Sequence, residues 1–218
     1  PTITGCTLRG NGGAPIGILV HGFSIATAAP TVTNNLVTGF SDAGISVMNQ
    51  GGLYQGNRLE NNGTGIRAGY SANNPVIRDN TYASNAKALV VSGTISGAVV
   101  WDATGNPAYR IDGLTISDGG SLTINPGSTV EVTSTVGIDA GGTLTVGSGS
   151  TVKFAGGQSL WVSGALLATG VTFTAQDSAH PWAGIVLYGS GASASRLENC
   201  VVEGAAGYSW NPYLAAIH

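Results

Sequence analysis

The chain has 218 residues, of which 9% are charged and 35 are glycine, and its net charge is -3. So little charge excludes helical bundles and coiled coils, whose exposed faces need Lys, Arg, Asp and Glu. The small net charge and the many Val, Ile and Leu residues exclude a disordered chain, and they argue against a nucleic-acid partner. The apolar runs are too short to insert into a membrane. A β-rich protein is therefore predicted.

Residues 1–93 repeat one short text, seen in ITGCTL, VTNNLV, YQGNRL and IRDNTY. The repeat places Cys6, Asn35, Asn57 and Asn80 at equivalent positions, with 22 residues from Asn35 to Asn57 and 23 from Asn57 to Asn80. We predict that these side chains point inward at a turn. Buried amides are costly when unpaired, so stacked Asn side chains are expected to form a hydrogen-bonded ladder.

Residues 94–193 repeat a different text, rich in Thr and Gly, with a period of 22 residues. Its apolar positions are the series Leu122, Leu144 and Leu166 and the series Ile116, Ile138 and Leu160. Segments such as TVEV and TVKF alternate apolar and polar residues, which is typical of a strand with one buried face. Glycines and Pro126 mark the bends between strands.

Residues 194–218 return to the first text, since LENCVV puts Cys200 at the ladder position. A repeat of this length, holding two or three short strands, is one coil of a parallel β-helix. The predicted fold is thus all-β, with residues 1–218 forming a single solenoid of about ten coils of roughly 22 residues.

These texts resemble the right-handed parallel β-helix repeats of the pectin-lyase-like superfamily, of the secreted bacterial type. The Asn-type coils carry the resemblance over residues 1–93 and 194–218, and residues 94–193 resemble a module of secreted bacterial β-helix proteins. The resemblance implies a right-handed parallel β-helix. It does not select a function, because lyases, hydrolases, adhesins, tailspikes and plain stalks share this fold.

The acidic residues are scattered, and no paired-carboxylate motif is found. We therefore predict no catalytic residue, no metal site and no cofactor. One charged and aromatic patch is a candidate for glycan binding; its residues are Arg58, Glu60, Arg67, Arg78 and Asp79, together with Trp210 and Tyr213. The alternative interpretation is accordingly a polysaccharide-binding or polysaccharide-cleaving β-helix, a lyase or hydrolase, with surface glycans as partners. Ordinary surface charge that pairs across coils explains the same residues.

A second copy placed after His218 would bring its Cys6 24 residues beyond Cys200, which is one coil. The predicted junction residues are Ile3, Cys6, Leu8, Arg9, Leu197, Cys200, Val202, Glu203 and Ile217. We expect a non-enzymatic protein, secreted or on the cell surface, that is one unit of a fibre, stalk or surface adhesin. Its expected partners are copies of itself stacked head to tail, or the flanking coils of a longer chain.

Overall fold

The structure is a computed structural model that describes residues 1–11, 13–22, 29–71, 73–101 and 108–207. Three predicted residues, Trp210, Tyr213 and Ile217, lie outside this part of the chain. The chain divides into two compact units. Unit 1 comprises Pro1–Ser92 and Thr104–Tyr109, and unit 2 comprises Gly93–Ala103 and Arg110–His218.

Unit 1 is built from short strands rich in Thr, Val and Leu, residue types that favour extended structure. The strands are β1 (Thr2–Thr4), β2 (Thr7–Arg9), β3 (Ile16–His21), β4 (Thr31–Thr33), β5 (Leu36–Thr38), β6 (Ala43–Met48), β7 (Gly52–Gln55), β8 (Arg58–Glu60), β9 (Thr64–Tyr70), β10 (Pro75–Arg78), β11 (Thr81–Ala83) and most of β12 (Lys87–Ile95). Their arrays are β1–β4–β7–β10, β2–β5–β8–β11 and β3–β6–β9–β12. The pairs β1–β4, β2–β5 and β3–β6 are parallel, so each strand lies beside its equivalent one turn later.

Unit 2 repeats this arrangement with different turns. Its strands are β13 (Ala98–Trp101), β14 (Tyr109–Ile116), β15 (Ser121–Ile124), β16 (Thr129–Val132), β17 (Val136–Ile138), β18 (Thr143–Val146), β19 (Thr151–Phe154), β20 (Ser159–Val162), β21 (Ala165–Thr169), β22 (Thr172–Ala175), β23 (Gly184–Leu187), β24 (Arg196–Glu198) and β25 (Val201–Val202), with a 3₁₀ turn at Ser190–Ala194. The arrays are β13–β15–β18–β21–β24, β14–β16–β19–β22–β25 and β14–β17–β20–β23.

The described residues form a parallel β-solenoid of about seven turns, so the prediction of about ten coils is too high. The turns also differ in length. Thr2 pairs with Thr31 and Leu167 pairs with Arg196, which are steps of 29 residues. The additional residues lengthen connections between strands and add no turn.

Several strand pairs in unit 2 follow the 22-residue period. Leu144, for instance, pairs with both Leu122 and Leu166. Strand β20 is shifted by two residues from this period, because Leu160 pairs with Val136 rather than with Ile138. A shift of two residues preserves the alternation of inward and outward side chains, so the apolar face stays buried.

Each unit has an apolar interior made of stacked side chains. In unit 1, Val32 and Tyr54 are at most 1% exposed. In unit 2, Phe154 and Trp182 stack with ring centroids 4.2 Å apart. An apolar cavity of about 20 Å³ in unit 2 is lined by residues that include Leu144 and Val152. A cavity this small and this apolar offers no chamber for a ligand.

Candidate functional site

The ladder position of unit 1 is occupied by three buried amides. Asn35, Asn57 and Asn80 are each at most 1% exposed. The Asn35 side-chain Nδ2 donates to Asn57 Oδ1 at 2.9 Å, and Asn57 Nδ2 donates to Asn80 Oδ1 at 3.0 Å. The backbone N–H groups of the same two residues donate to the same acceptors, at 3.1 and 2.9 Å. The column is thus bonded through both side chain and backbone.

The turn geometry explains why these amides point inward. The residue before each of them has a left-handed backbone, with φ of 56° at Asn34, 65° at Gly56 and 53° at Asp79. Gly and Asn adopt this conformation at low cost, and Asp is also enriched there. A single left-handed residue between two short strands turns the chain and directs the next side chain into the interior.

The amides also bind the previous turn. Asn35 Nδ2 donates to Ile3 O at 3.0 Å, and Asn57 Nδ2 donates to Val32 O at 2.9 Å. In both cases the acceptor is three residues before the ladder position of the preceding turn. Each amide therefore joins its own turn to the turns on either side of it. Since amides do not titrate or attack substrates, this column supports structure rather than catalysis.

A second amide column was not predicted from the sequence. Asn62 Nδ2 donates to Asn85 Oδ1 at 3.0 Å and to Val37 O at 3.0 Å. The Phe40 backbone N–H donates to Asn62 Oδ1 at 3.0 Å. The spacings from Phe40 to Asn62 and from Asn62 to Asn85 are 22 and 23 residues, so the period was the signal. The column was not recognised in the sequence because its first position is Phe40 rather than an Asn.

The cysteines differ from the amides they were grouped with. Cys6 begins the first column, where its backbone N–H donates to Asn35 Oδ1 at 2.9 Å, but its side chain is exposed. It lies on turn β1–β2, which has β4 and β5 on one side only in the described chain, so its assignment to the core stays a prediction. Cys200 is partly exposed, and its Sγ lies 3.5 Å from Ala168 O.

The last described turn of unit 2 has the geometry of the turns in unit 1. Asn199, just before Cys200, has a φ of 52°. Gly204, four residues after Cys200, has a φ of 66°, as Asn61, four residues after Asn57, has a φ of 52°. The pattern of left-handed residue, ladder residue, short strand and left-handed residue thus occurs in both units.

Five of the predicted junction residues lie on strands at the ends of the arrays: Ile3, Leu8, Arg9, Leu197 and Val202. Ile3 and Leu8 are half-buried, whereas Val32 and Val37, which pair with them, are at most 1% exposed. In unit 2, Leu197 and Val202 are half-buried, while their partners Ala168 and Phe173 are at most 3% exposed. The two charged residues among the predicted junction residues, Arg9 and Glu203, are exposed. In the described chain these four inward-pointing apolar side chains are thus less buried than their partners one turn further in.

The predicted glycan patch is not a single surface. Arg58 and Glu60 lie on β8 and pair with each other. Arg67 lies on β9, in a different array, and Arg78 lies on β10, in a third. Sequence proximity suggested one face, but each strand of a turn belongs to a different side of the solenoid. Trp210 and Tyr213 are outside the described residues.

The charges of this patch are engaged locally. Arg67 donates to both carboxylate oxygens of Asp42, from Nη1 at 3.0 Å and from Nη2 at 2.6 Å. These hydrogen bonds from Arg67 lower the pKa of the Asp42 carboxyl below its usual value. Gln55 bridges the remaining two, donating to Asp79 Oδ2 at 2.8 Å and accepting from Arg78 Nη2 at 3.3 Å.

The described residues contain no group of three or more His, Cys, Asp or Glu side chains that could hold a metal ion. Within the same part of the chain, no helix has the length and apolar character needed to cross a membrane. The features that stand out are therefore the amide columns and the edge turns.

Comparison with known proteins gives one match. A family model described as a right handed beta helix region matches residues 1–209. Searches of curated proteins and of solved structures find no match. The match covers nearly the whole chain, and it confirms the resemblance to right-handed parallel β-helix repeats that the repeated texts carry. Its parallel strand arrays, stacked turns and matched residues place this chain in the right-handed β-helix family.

Proposed function

We propose that this chain is a non-enzymatic structural unit of an extracellular fibre, stalk or surface adhesin, and that its turns continue into those of a second copy. The observation that carries the proposal is the pair of edges at β1–β2 and β24–β25. Both carry half-buried apolar side chains whose strand partners one turn further in are buried. Exposed edges of this kind favour addition of further strands.

The two edges match residue by residue when their ladder positions are aligned. Cys6 aligns with Cys200, which sets Ile3 against Leu197 and Leu8 against Val202. Four half-buried apolar side chains would then become interior. The driving force is the removal of apolar surface from water, at about 25 cal/mol for each Å² buried.

The outward residues agree with the same alignment. Glu203 of one copy would lie beside Arg9 of the next, and both are exposed. Opposite charges on adjacent strands stabilise a sheet, and like charges destabilise it. The contact is heterologous, and an open fibre forms from such contacts when the rotation from copy to copy does not close a ring.

The low charge supports a structural role in which turns stack on one another. With 9% charged residues, few like charges can stack on each other from turn to turn. The polysaccharide-directed alternative has less support, because Arg58, Arg67 and Arg78 lie on strands of three different arrays and each is engaged with a neighbouring side chain.

The test is assembly under reducing conditions, measured by sedimentation velocity over a concentration series and by negative-stain electron microscopy. We expect particles of constant width whose length increases with concentration. Ile3→Lys should abolish assembly, because stacking would bury an unpaired ammonium group. Thr4→Lys is the matched control, since this exposed residue is on the opposite face of β1 and aligns with Glu198. It should assemble as well as the wild type.

Two results would overturn the proposal. One is a wild-type chain that stays monomeric across the whole concentration series. The other is equal assembly of Ile3→Lys and Thr4→Lys. Circular dichroism and thermal melting of both variants establish that each is folded, which is expected because Ile3 is only half-buried.

A further inference from the structure

We infer that Cys200 of one copy and Cys6 of the next form a disulfide that covalently links stacked units. This inference rests on the head-to-tail contact proposed above and adds a chemical bond to it. The chain has two cysteines, and both occupy ladder positions on edge turns. Both are free within the chain.

The Cys200 thiol occupies the place of a ladder amide. Its Sγ lies 3.5 Å from Ala168 O, and Ala168 is three residues before Val171, the ladder position of the preceding turn. Asn57 contacts Val32 O in the same way, since Val32 is three residues before Asn35. The equivalence places the Cys200 side chain in the column, at the edge where the next turn would begin.

Cys6 meets the matching condition at the other edge. Its backbone N–H is bonded to Asn35 Oδ1 at 2.9 Å, which fixes it at the start of the column of unit 1. Its Sγ is exposed and lies 3.4 Å from Thr4 O. The thiol is thus accessible before a second copy arrives.

Stacking brings the two thiols within bonding distance. Neighbouring strands in a sheet are about 4.8 Å apart. A disulfide needs Cα atoms separated by about 4.4–6.8 Å, so residues at equivalent positions on adjacent turns meet this condition. Other ladder positions in unit 1 carry Asn, and cysteine replaces it at the two positions that would face each other.

The bond forms by thiol–disulfide exchange with a small disulfide such as oxidised glutathione. The thiolate of one cysteine attacks the small disulfide, forms a mixed disulfide and releases one small thiol. The second cysteine thiolate then displaces the second small thiol. Two protein S–H bonds are lost, one protein S–S bond forms, and the small disulfide is reduced to two thiols, so atoms and electrons balance.

The experiment treats assembled wild-type chain with oxidised glutathione and resolves it on a non-reducing denaturing gel. We expect a series of covalent multimers that collapses to monomer on reduction. Cys6→Ser and Cys200→Ser alone can link only in symmetric pairs, so neither should produce species larger than a dimer. An equimolar mixture of the two variants should produce a dimer in which mass spectrometry finds the tryptic peptide of Cys200 joined to that of Cys6.

The double variant Cys6→Ser/Cys200→Ser separates this inference from the proposed function. If it assembles like the reduced wild type and the oxidised wild type carries the Cys200–Cys6 link, both are supported. Assembly without that link, or with symmetric links alone, overturns the disulfide and leaves the stacking intact. A Cys200–Cys6 link in chains that are monomeric when reduced upholds the disulfide and overturns spontaneous stacking.

Discussion

The two units join successive turns by different means. In unit 1, Asn57 bonds to Asn35, to Asn80 and to Val32 O, so one amide links three turns. In unit 2, the hydroxyl of Ser150 accepts from the Ser128 N–H at 3.2 Å and donates to Asn125 O at 3.2 Å. An amide has separate donor and acceptor atoms on a longer side chain, whereas a hydroxyl uses one oxygen for both. Unit 1 therefore depends on a polar column, and unit 2 depends more on apolar stacking.

On the outer face of the solenoid, residues on adjacent turns avoid placing like charges beside each other. Thr129, Thr151 and Thr172 lie in register on adjacent strands of unit 2. Beside them Glu131 pairs with Lys153, so the charges that occur on neighbouring turns are opposite in sign. Uncharged residues stack on their own copies without repulsion, which explains the low charge of the chain.

The largest expected effect tests the apolar stacking of unit 2. Trp182 is fully buried, stacks on Phe154 and donates from Nε1 to Glu203 O at 2.8 Å. Trp182→Ala should lower the free energy of unfolding by about 3–5 kcal/mol, because it leaves a cavity and an unpaired carbonyl. Urea denaturation measures it. The control Trp161→Ala removes a half-exposed ring that packs edge-to-face with Tyr188, and should cost about 1 kcal/mol. Equal costs would contradict the role of the buried stack.

The second prediction compares the two kinds of column directly. Asn57→Ala leaves buried groups of Asn35 and Val32 without partners, so we expect a loss of about 3 kcal/mol. Ser150→Ala in unit 2 leaves only the Ser128 N–H unpaired, since Asn125 O still accepts from Ser128 Oγ at 2.8 Å, and should cost about 1 kcal/mol. Denaturant titrations of both variants give the difference. If Ser150→Ala lowers the free energy of unfolding as much as Asn57→Ala or more, the amide column does not stabilise the fold more than the hydroxyl column.

The smallest effect concerns the ion pair on the outside of unit 1. Arg67 and Asp42 are each 40% exposed, so solvent screens them and Asp42→Asn should cost about 0.5 kcal/mol. The pKa of the Asp42 carboxyl is lowered in the folded state. Its stabilising contribution is therefore fully present above the pKa of the unfolded chain, about 3.9, and is lost as the pH falls through the pKa of the folded chain. Unfolding of wild type and variant across this pH range measures the contribution. A difference that persists in strong acid would contradict the assignment.

Much of the fold was predictable from particular residues. The series Leu122, Leu144 and Leu166 identified strands that pair in register, and Asn35, Asn57 and Asn80 identified a column. These predictions work because a solenoid repeats the same local environment at each turn, so the repeat length appears directly in the sequence.

Other features could not be predicted because they depend on how the chain bends. Arg58 and Arg67 are only nine positions apart, but the turn at Asn61 places their strands in different arrays. The pairing of Leu160 with Val136 likewise depends on the length of a turn and not on the apolar pattern. A difference of one or two turn residues changes the face or the partner of every residue in the next strand.

The sequence by itself determined that this protein is a parallel β-solenoid with a ladder of buried amides, because periodic residues experience periodic surroundings. Only the tertiary structure decided how many turns there are, which charges pair, and that Cys200 takes the place of an amide while Cys6 is exposed. Those properties follow from the bend angle and length of each turn. A turn decides which residues distant in the chain become neighbours, so its effect cannot be read from the local sequence.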